Sequence, residues 1–427
     1  MNKTTVVVSC PIDTYSGYGA RSRDLVKGLL RSGKYDVKVL AQRWGNTRFG
    51  YLDEHKEAEL KSLIIPNLTS KPDVWIQITV PNEFQSVGTY NIGITAGIET
   101  TMCDSSWIQG CNRMNLILTS STHSKSVFEK TVYNVEDQGR VSGELKLTTP
   151  IEVLFEGADI NKYFPTSKVT SEFARSLDVI PESFCYLFVG HWLQGDIGQD
   201  RKNVGYLVKV FLETFKNKKT RPALILKTQS ANASILDRDS ILKKLDAIRE
   251  TVKGDLPNIY LLHGEVTDEE INELYNHNKV KAMISLTRGE GFGRPLLEFS
   301  LVNKPIIASN WSGHLDFLHN EFTTLVGGAL LDVDKSAVVK NIILKESQWF
   351  TPAEAQVVAA LKNVYEKYKS FAELAKRQGY KSRTEYSFEK MADQLESILD
   401  TNLPEFPKQV TLNMPTLKLP KLEKING

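Results

Sequence analysis

Thr287-Arg288-Gly289-Glu290-Gly291-Phe292-Gly293-Arg294-Pro295-Leu296-Leu297-Glu298 is the stretch on which the fold turns. An apolar run over residues 280–286 leads into it. A helical apolar pattern, Leu296, Leu297, Phe299 and Leu301, leads out. The segment therefore reads strand, tight glycine loop, helix. Such a loop leaves backbone N–H groups free at a helix N-terminus, a ready-made phosphate site. Pro295 suits the first helical turn, where its missing N–H costs nothing. Glu298 falls about one turn into the helix, within reach of the paired hydroxyls of a ribose. Glu290 precedes the loop and faces whatever the phosphates carry.

Outward from this loop the chain alternates between short apolar runs and helical patterns. In the first part, strands are expected over residues 4–9, 35–40, 74–79, 92–95, 116–119 and 151–155, each bounded by polar turns. Helices are expected over 20–31, with Leu25, Leu29 and Leu30 on one face, and over 121–132, capped by Ser121. Residues 134–149 are polar and unperiodic, a surface excursion, and residues 161–169 form the boundary between halves. A second alternating unit follows, with strands at 186–189, 223–228, 259–262 and 305–308. Its helices are placed at 203–215, 241–252, 268–275, 353–368, 371–377 and 388–399. This is an α/β chain built from two strand–helix–strand units of the doubly wound kind.

The bounds of the whole chain agree with this. At 427 residues it is too long for one ordinary core. A formal net charge of +2 gives no overall pull toward nucleic acid. The four cysteines, Cys10, Cys103, Cys111 and Cys185, have no disulfide or zinc spacing and read as reduced thiols of a cytoplasmic protein. No run is long enough for a membrane span, and residues 5–8 are too short for a signal peptide. The pairs Asp237/Asp239 and Asp332/Asp334 fall at a helix start and in a turn, away from any strand end facing a cleft. No catalytic metal and no cofactor are expected.

The Glu290-x7-Glu298 string with its apolar flanks resembles the signature of retaining glycosyltransferases of the group 1, or family 4, type. The second half of that signature is similar to Phe188-Val189-Gly190-His191-Trp192 followed by Arg201-Lys202-Asn203, where the family has Val-Gly-Lys/Arg-Trp and Arg-Lys-Gly. His191 stands in place of a permanent cation, and residues 193–200 read as an insertion. Gly17-Tyr18-Gly19 resembles the loop bordering the donor phosphate, although an ordinary turn uses the same residues. Leu262-His263-Gly264-Glu265-Val266 resembles the loop whose backbone reads the nucleotide base. Glu156-Gly157-Ala158-Asp159 resembles the turn closing the first domain, with Glu156 replacing Asn, and Asn310 to Phe317 resembles the stretch after the signature helix.

The resemblance implies the GT-B fold, with two facing Rossmann-like domains and the nucleotide-sugar site in the cleft between them. It assigns residues 1–168 to an acceptor-binding domain and 169–386 to a nucleotide-sugar domain. Residues 387–401 form a helix crossing back, and 402–427 an extended proline-bearing tail. It implies catalytic roles for Glu290, Lys202, Arg201 and Glu99, and donor binding by Gly17, Gly19, His191, Glu265, Val266, Gly291, Phe292, Gly293, Arg294 and Glu298. The co-substrate is then a nucleotide-diphosphate sugar, and transfer is metal-independent with retention at the anomeric carbon. A phosphorylase, an epimerase or a non-catalytic binding scaffold are the alternatives on this fold.

The acceptor stays open between two classes. Residues 1–50 carry Lys3, Arg21, Arg23, Lys27, Arg31, Lys34, Lys38, Arg43 and Arg48 against Asp13, Asp24 and Asp36, which reads as a basic face for an acidic acceptor. The stretches 75–84 and 93–101 resemble transferases carried by tailed bacteriophages, some of which modify hydroxymethylated bases in DNA. The two readings are hydroxymethylated DNA, acting in a host cytoplasm, and a cell-surface glycan such as a lipopolysaccharide core.

Overall fold

The computed structural model describes residues 3–138, 140–230 and 233–406. Its first half starts with β1 (Thr4–Cys10), whose β-branched run Thr-Thr-Val-Val-Val is buried for most of its length. The chain then passes through α1 (Gly17–Ser32), β2 (Tyr35–Ala41), the short α2 (Tyr51–Glu54) and α3 (Ala58–Ser62), β3 (Val74–Ile78), β4 (Tyr90–Thr95), α4 (Ser105–Cys111), β5 (Leu116–Thr119) and α5 (Thr122–Lys130). An exposed antiparallel hairpin, β6 (Tyr133–Asp137) and β7 (Arg140–Leu145), precedes β8 (Ile151–Val153). The sheet order is β2-β1-β3-β4-β5-β8, all parallel.

The second half repeats the plan: α6 (Glu172–Arg175), β9 (Cys185–His191), α7 (Val204–Phe215), β10 (Ala223–Gln229), α8 (Ile235–Thr251), β11 (Ile259–Leu262), α9 (Asp268–Asn276), β12 (Val280–Ser285), α10 (Arg294–Ser300), β13 (Ile306–Ser309) and β14 (Thr324–Val326). Its order is β11-β10-β9-β12-β13-β14, again parallel. A hairpin of β15 (Gly328–Asp332) and β16 (Gln348–Pro352) follows, then α11 (Glu354–Glu366) and α12 (Tyr368–Glu385). Finally α13 (Phe388–Asn402) lies on the first half, where Met391, Leu395, Ile398 and Leu399 join Val26 and Leu29 of α1 in one buried cluster. Gly28 makes the approach possible, since a Cβ there would sit 3.3 Å from Leu395.

Both sheets grow in one direction from their first strand and then in the other. The reversals fall between β1 and β3 and between β9 and β12. In open parallel sheets such a reversal opens a crevice at the carboxyl ends of the strands, where ligands bind. The two crevices face each other across the cleft.

Several elements differ from the sequence reading. Residues 134–149, read as irregular, form the β6–β7 hairpin. Its side chains are exposed on both faces, so no apolar period marks it. α8 begins at Ile235 rather than 241, because Ser234 caps it on Asp237 while Ile235 and Leu236 stay exposed and leave no pattern. α12 runs to Glu385 rather than 377, since its buried side there is Gln378, Gly379 and Ser382 instead of an apolar stripe. The tail read over 402–427 starts inside α13, and residues 407–427 lie outside those described.

Most of the basic face read from residues 1–50 is taken up by partners within the chain. Arg21 is buried and donates to the carbonyls of Leu154 and Phe155. Arg23 is buried, donates to Ile12 and Thr14, and lies 3.4 Å over the Tyr51 ring. Lys27 pairs with Glu57, Arg31 with Asp393, Lys34 with Glu396 and Asp400, Lys38 with Asp36, and Arg48 with Glu54 and Glu265. Three of these carboxylates come from α13. Arg31 near the end of α1 and Lys34 just past it therefore pair with the returning helix, while Arg21, Arg23 and Lys27 tie α1 to its own half.

Candidate active site

The loop after β9 and the loop after β12 meet at the second crevice. The backbone ties them together: the Arg288 N–H donates to Arg201 O at 2.9 Å. Asn203 ends the Arg-Lys-Asn run in the left-handed conformation, φ 57°. Glycine or asparagine suits that conformation, which explains Asn in place of the family's Gly. The turn aims Lys202 at Glu290, with Nζ 2.5 and 2.6 Å from the two carboxylate oxygens. Arg201 reaches across the cleft to Glu99, at 2.7 Å. Burial alone would raise the Glu290 carboxyl, but Lys202 and Arg201 hold it below the usual carboxylate range. Burial lowers the Lys202 ammonium, with Glu290 opposing. Burial also disfavours the Arg201 charge, and Glu99 and Glu290 outweigh it.

Three glycines shape the signature loop, for different reasons. A Cβ on Gly289 would stand 2.2 Å from Glu99 O, and one on Gly291 2.6 Å from Ala96 O. Both are demanded by the opposing 96–99 loop of the first half. Gly293 has φ 97° and needs glycine for its own backbone. The N–H groups of Gly291, Phe292 and Gly293 donate to no acceptor among the described residues, whereas the Glu290 N–H donates to Ser312 Oγ at 2.8 Å. The Phe292 ring packs on Phe317 in the core, so only its backbone faces the cleft.

Pro295 opens α10 and Glu298 sits one turn in, as its spacing requires. Arg294 is clamped between Glu298, 2.9 Å from Nε, and Asp24 of α1, 2.6 Å from Nη1. Burial pushes the Glu298 carboxyl up to about 7, Arg294 opposing and Asp268 and Asp24 adding to the rise. Burial works against the Arg294 charge, but Asp24, Glu298 and Glu156 hold it firmly protonated.

Two adjoining cavities share Arg294 in their walls. One, of about 210 Å³, is lined by Gly17, Tyr18, Arg21, Glu99, Ser120, Glu156, Arg201, Lys202, Glu290 and the 291–294 loop. The other, of about 150 Å³, is lined by Asp24, Lys27, Tyr51, Lys162, Tyr163, Asp268 and Glu298. Sequence reading missed Asp24, Ser120 and Tyr18 and gave Glu156 a structural role. Glu156 lines the cavity, and burial raises its carboxyl against Arg21 and Arg294. A helical signal existed for Asp24: with Gly17 and Arg21 it falls on one face of α1.

Of the remaining expected residues, Gly17 alone lines a cavity. Gly17 faces open space at the start of α1, but Gly19 is a packing requirement, since a Cβ there would meet Thr14 O at 2.3 Å. His191 lines neither cavity; its Nδ1 meets Ser230 O at 3.0 Å. Glu265 is engaged by Arg48 across the cleft at 2.7 Å, and Val266 follows it outside both cavity walls.

Two Rossmann-like halves closing on a charged cleft define the GT-B fold. Residues 246–347, which contain the signature loop, match the family model described as glycosyl transferases group 1. No curated protein matches the chain. Among solved structures, a glycosyltransferase from Rickettsia africae is similar over 94% of this chain and 99% of its own, with 14% identity and a TM-score of 0.61. Anabaena HepE, solved with UDP and glucose, is similar over 93% of this chain and 100% of its own, with 14% identity and a TM-score of 0.59. Sucrose-phosphate synthase from Thermosynechococcus elongatus covers 93% and is itself covered over 99%, with 10% identity and a TM-score of 0.60. No helix among the described residues is long and apolar enough to cross a membrane.

Proposed function

We propose that the chain transfers a sugar from a nucleotide-diphosphate sugar to a hydroxyl acceptor, with retention at the anomeric carbon. The observation that carries this is the meeting of Arg201, Lys202, Glu290 and Glu298 at the crevice between β9 and β12, inside the segment matched to the group 1 family or tied to it. The loop N–H groups of residues 291–293 and the two cations take the diphosphate, and Glu298 takes the ribose hydroxyls. HepE, which shares the fold, was solved with UDP and glucose, so uridine diphosphate sugars are the first donors to try.

The chemistry follows from charge. The bond from anomeric carbon to phosphate oxygen breaks, and its electrons leave on the diphosphate. Arg201 and Lys202 stabilise that developing charge in a dry site, the role a divalent metal fills elsewhere. The acceptor oxygen attacks the same face, and the departing phosphate oxygen takes the acceptor proton. Retaining hydrolases hold a carboxylate nucleophile about 5 Å from the acid. Here Glu290 is bound to Lys202 and serves to hold the donor's hydroxyls, so front-face attack fits better than a covalent intermediate. Glu99, bonded to Arg201, orients that cation.

The test is release of nucleoside diphosphate from a panel of uridine, guanosine and thymidine diphosphate sugars, with the product's anomeric configuration read by NMR. Turnover with retention is the expected result. Inversion sinks the front-face mechanism, interconversion of sugars without transfer points to an epimerase, and binding without turnover leaves a scaffold.

A further inference from the structure

Resting on the transferase reading, we infer that a second groove, at the β1–β3 crevice, is the acceptor subsite and that it takes a neutral sugar chain. The groove measures about 400 Å³, within the range of about 300–1,000 Å³ common for small-molecule sites. Ser9 of β1 and Gln77 and Ile78 of β3 form its floor at the carboxyl ends of the strands, where the sheet order reverses. Ile78 also lines the cavity that holds Glu290 and Lys202, so the groove adjoins the reaction centre.

The lining has the chemistry of sugar recognition. Trp44 is half-buried and stacks on Tyr18, ring centroids 4.0 Å apart and planes 20° from parallel. Tyr18 is itself fixed, its hydroxyl 3.0 Å from Thr95 Oγ1 and accepting from the Ala96 N–H. A rigid indole at a groove wall offers a flat apolar surface to the C–H face of a pyranose. Around it stand the exposed side chains of Gln42 and Gln85, which make no hydrogen bond among the described residues and match hydroxyl groups as donors and acceptors. Gln77, by contrast, is spent on shaping the rim: its amide donates to Glu83 O and accepts from the Gln85 N–H.

Charge favours a neutral occupant over the acidic alternatives. One cation, Arg43, and one carboxylate, Glu83, line the groove. A phosphorylated glycan or a DNA backbone needs several cations aimed at its phosphates. Most of the cations of residues 1–50 are already committed to carboxylates, carbonyls or a ring.

Saturation-transfer NMR on the full chain with maltotriose, mannotriose and lactose tests this, alongside gel-shift titration with hydroxymethylated duplex DNA. At least one neutral oligosaccharide is expected to bind. Its Kd should rise at least tenfold in Trp44→Ala and about threefold in Gln85→Ala, whose side chain is exposed and whose loss leaves the fold alone. Binding unchanged in both variants overturns the inference, as does binding of DNA with none of the three sugars. Sugar binding in a chain that turns over no nucleotide sugar would instead overturn the transferase reading and leave the groove standing.

Discussion

Lys202 and Glu290 form a buried pair whose halves have unequal jobs, and single substitutions separate them. Lys202 meets charge that appears only as the diphosphate leaves, so Lys202→Ala should lower kcat by about 10²–10³-fold, the usual loss when one such stabiliser is removed. Donor KM should change far less; a variant that keeps kcat and loses donor affinity would reassign Lys202 to ground-state binding. Glu298 behaves differently because burial holds its carboxyl near 7. Ribose hydroxyls donate to the ionised form, so donor KM should rise as pH falls from 8 to 6 and be flat over that range in Glu298→Gln. Stability has the opposite sign. A folded value raised above the unfolded one gives stability that is complete below about 4.5 and is lost as pH rises through about 7. The Tm difference between wild type and Glu298→Gln should therefore change between about pH 4.5 and 7 and level off above that. Glu290, Glu298, Arg201 and Lys202 were legible in the sequence because each sits in a short local string whose spacing the backbone enforces. Asp24 was missed: its place beside Gly17 and Arg21 on one face of α1 is a local signal, but its contact with Arg294 spans 270 positions and no local spacing records that pairing.

The strands were legible for a similar reason: parallel sheets buried on both faces write short apolar runs. Elements without a continuous apolar face were not. α12 buries Gln378, which donates to Phe317 O at 2.7 Å, and Gly379, where a Cβ would meet Asn303 Oδ1 at 2.1 Å. Polar and steric fits of this sort leave no period to read. The seating of α13 on α1 combines both kinds of signal. Its apolar seam, with Leu395 against Gly28, removes surface from water, while the Arg31 and Lys34 pairs lie in solvent. Leu395→Ala should cost about 2–5 kcal/mol, as buried leucines do, and lower Tm clearly. Lys34→Ala should leave Tm almost unmoved, because exposed pairs are screened and entropically costly. A larger effect of Lys34→Ala than of Leu395→Ala would show that charge, not the seam, holds the helix.

At the scale of the molecule, the two halves meet at the reaction centre itself. Arg201–Glu99, Arg294–Asp24 and Arg48–Glu265 cross the cleft, as do the Ser120 Oγ to Gly291 O contact at 3.3 Å and the Thr122 N–H to Asp316 at 2.8 Å. Closure therefore positions the cations, and anything that holds the halves apart acts on chemistry without touching either core. Gly291 is a close point of contact between them, since a Cβ would stand 2.6 Å from the Ala96 carbonyl. Gly291→Ala should lower kcat by at least tenfold, because misplacement by about 1 Å is enough to cost on the order of 10²-fold. Its Tm should stay near that of the wild type, as the clash lies between halves that each keep a complete core. Small-angle scattering should show a larger radius of gyration in this variant than in wild type. If Gly291→Ala instead melts early with an unchanged radius, the glycine serves the loop's own folding. The close fit of residues 289–291 against 96–99 would then be a consequence of the fold, with no part in gating the reaction.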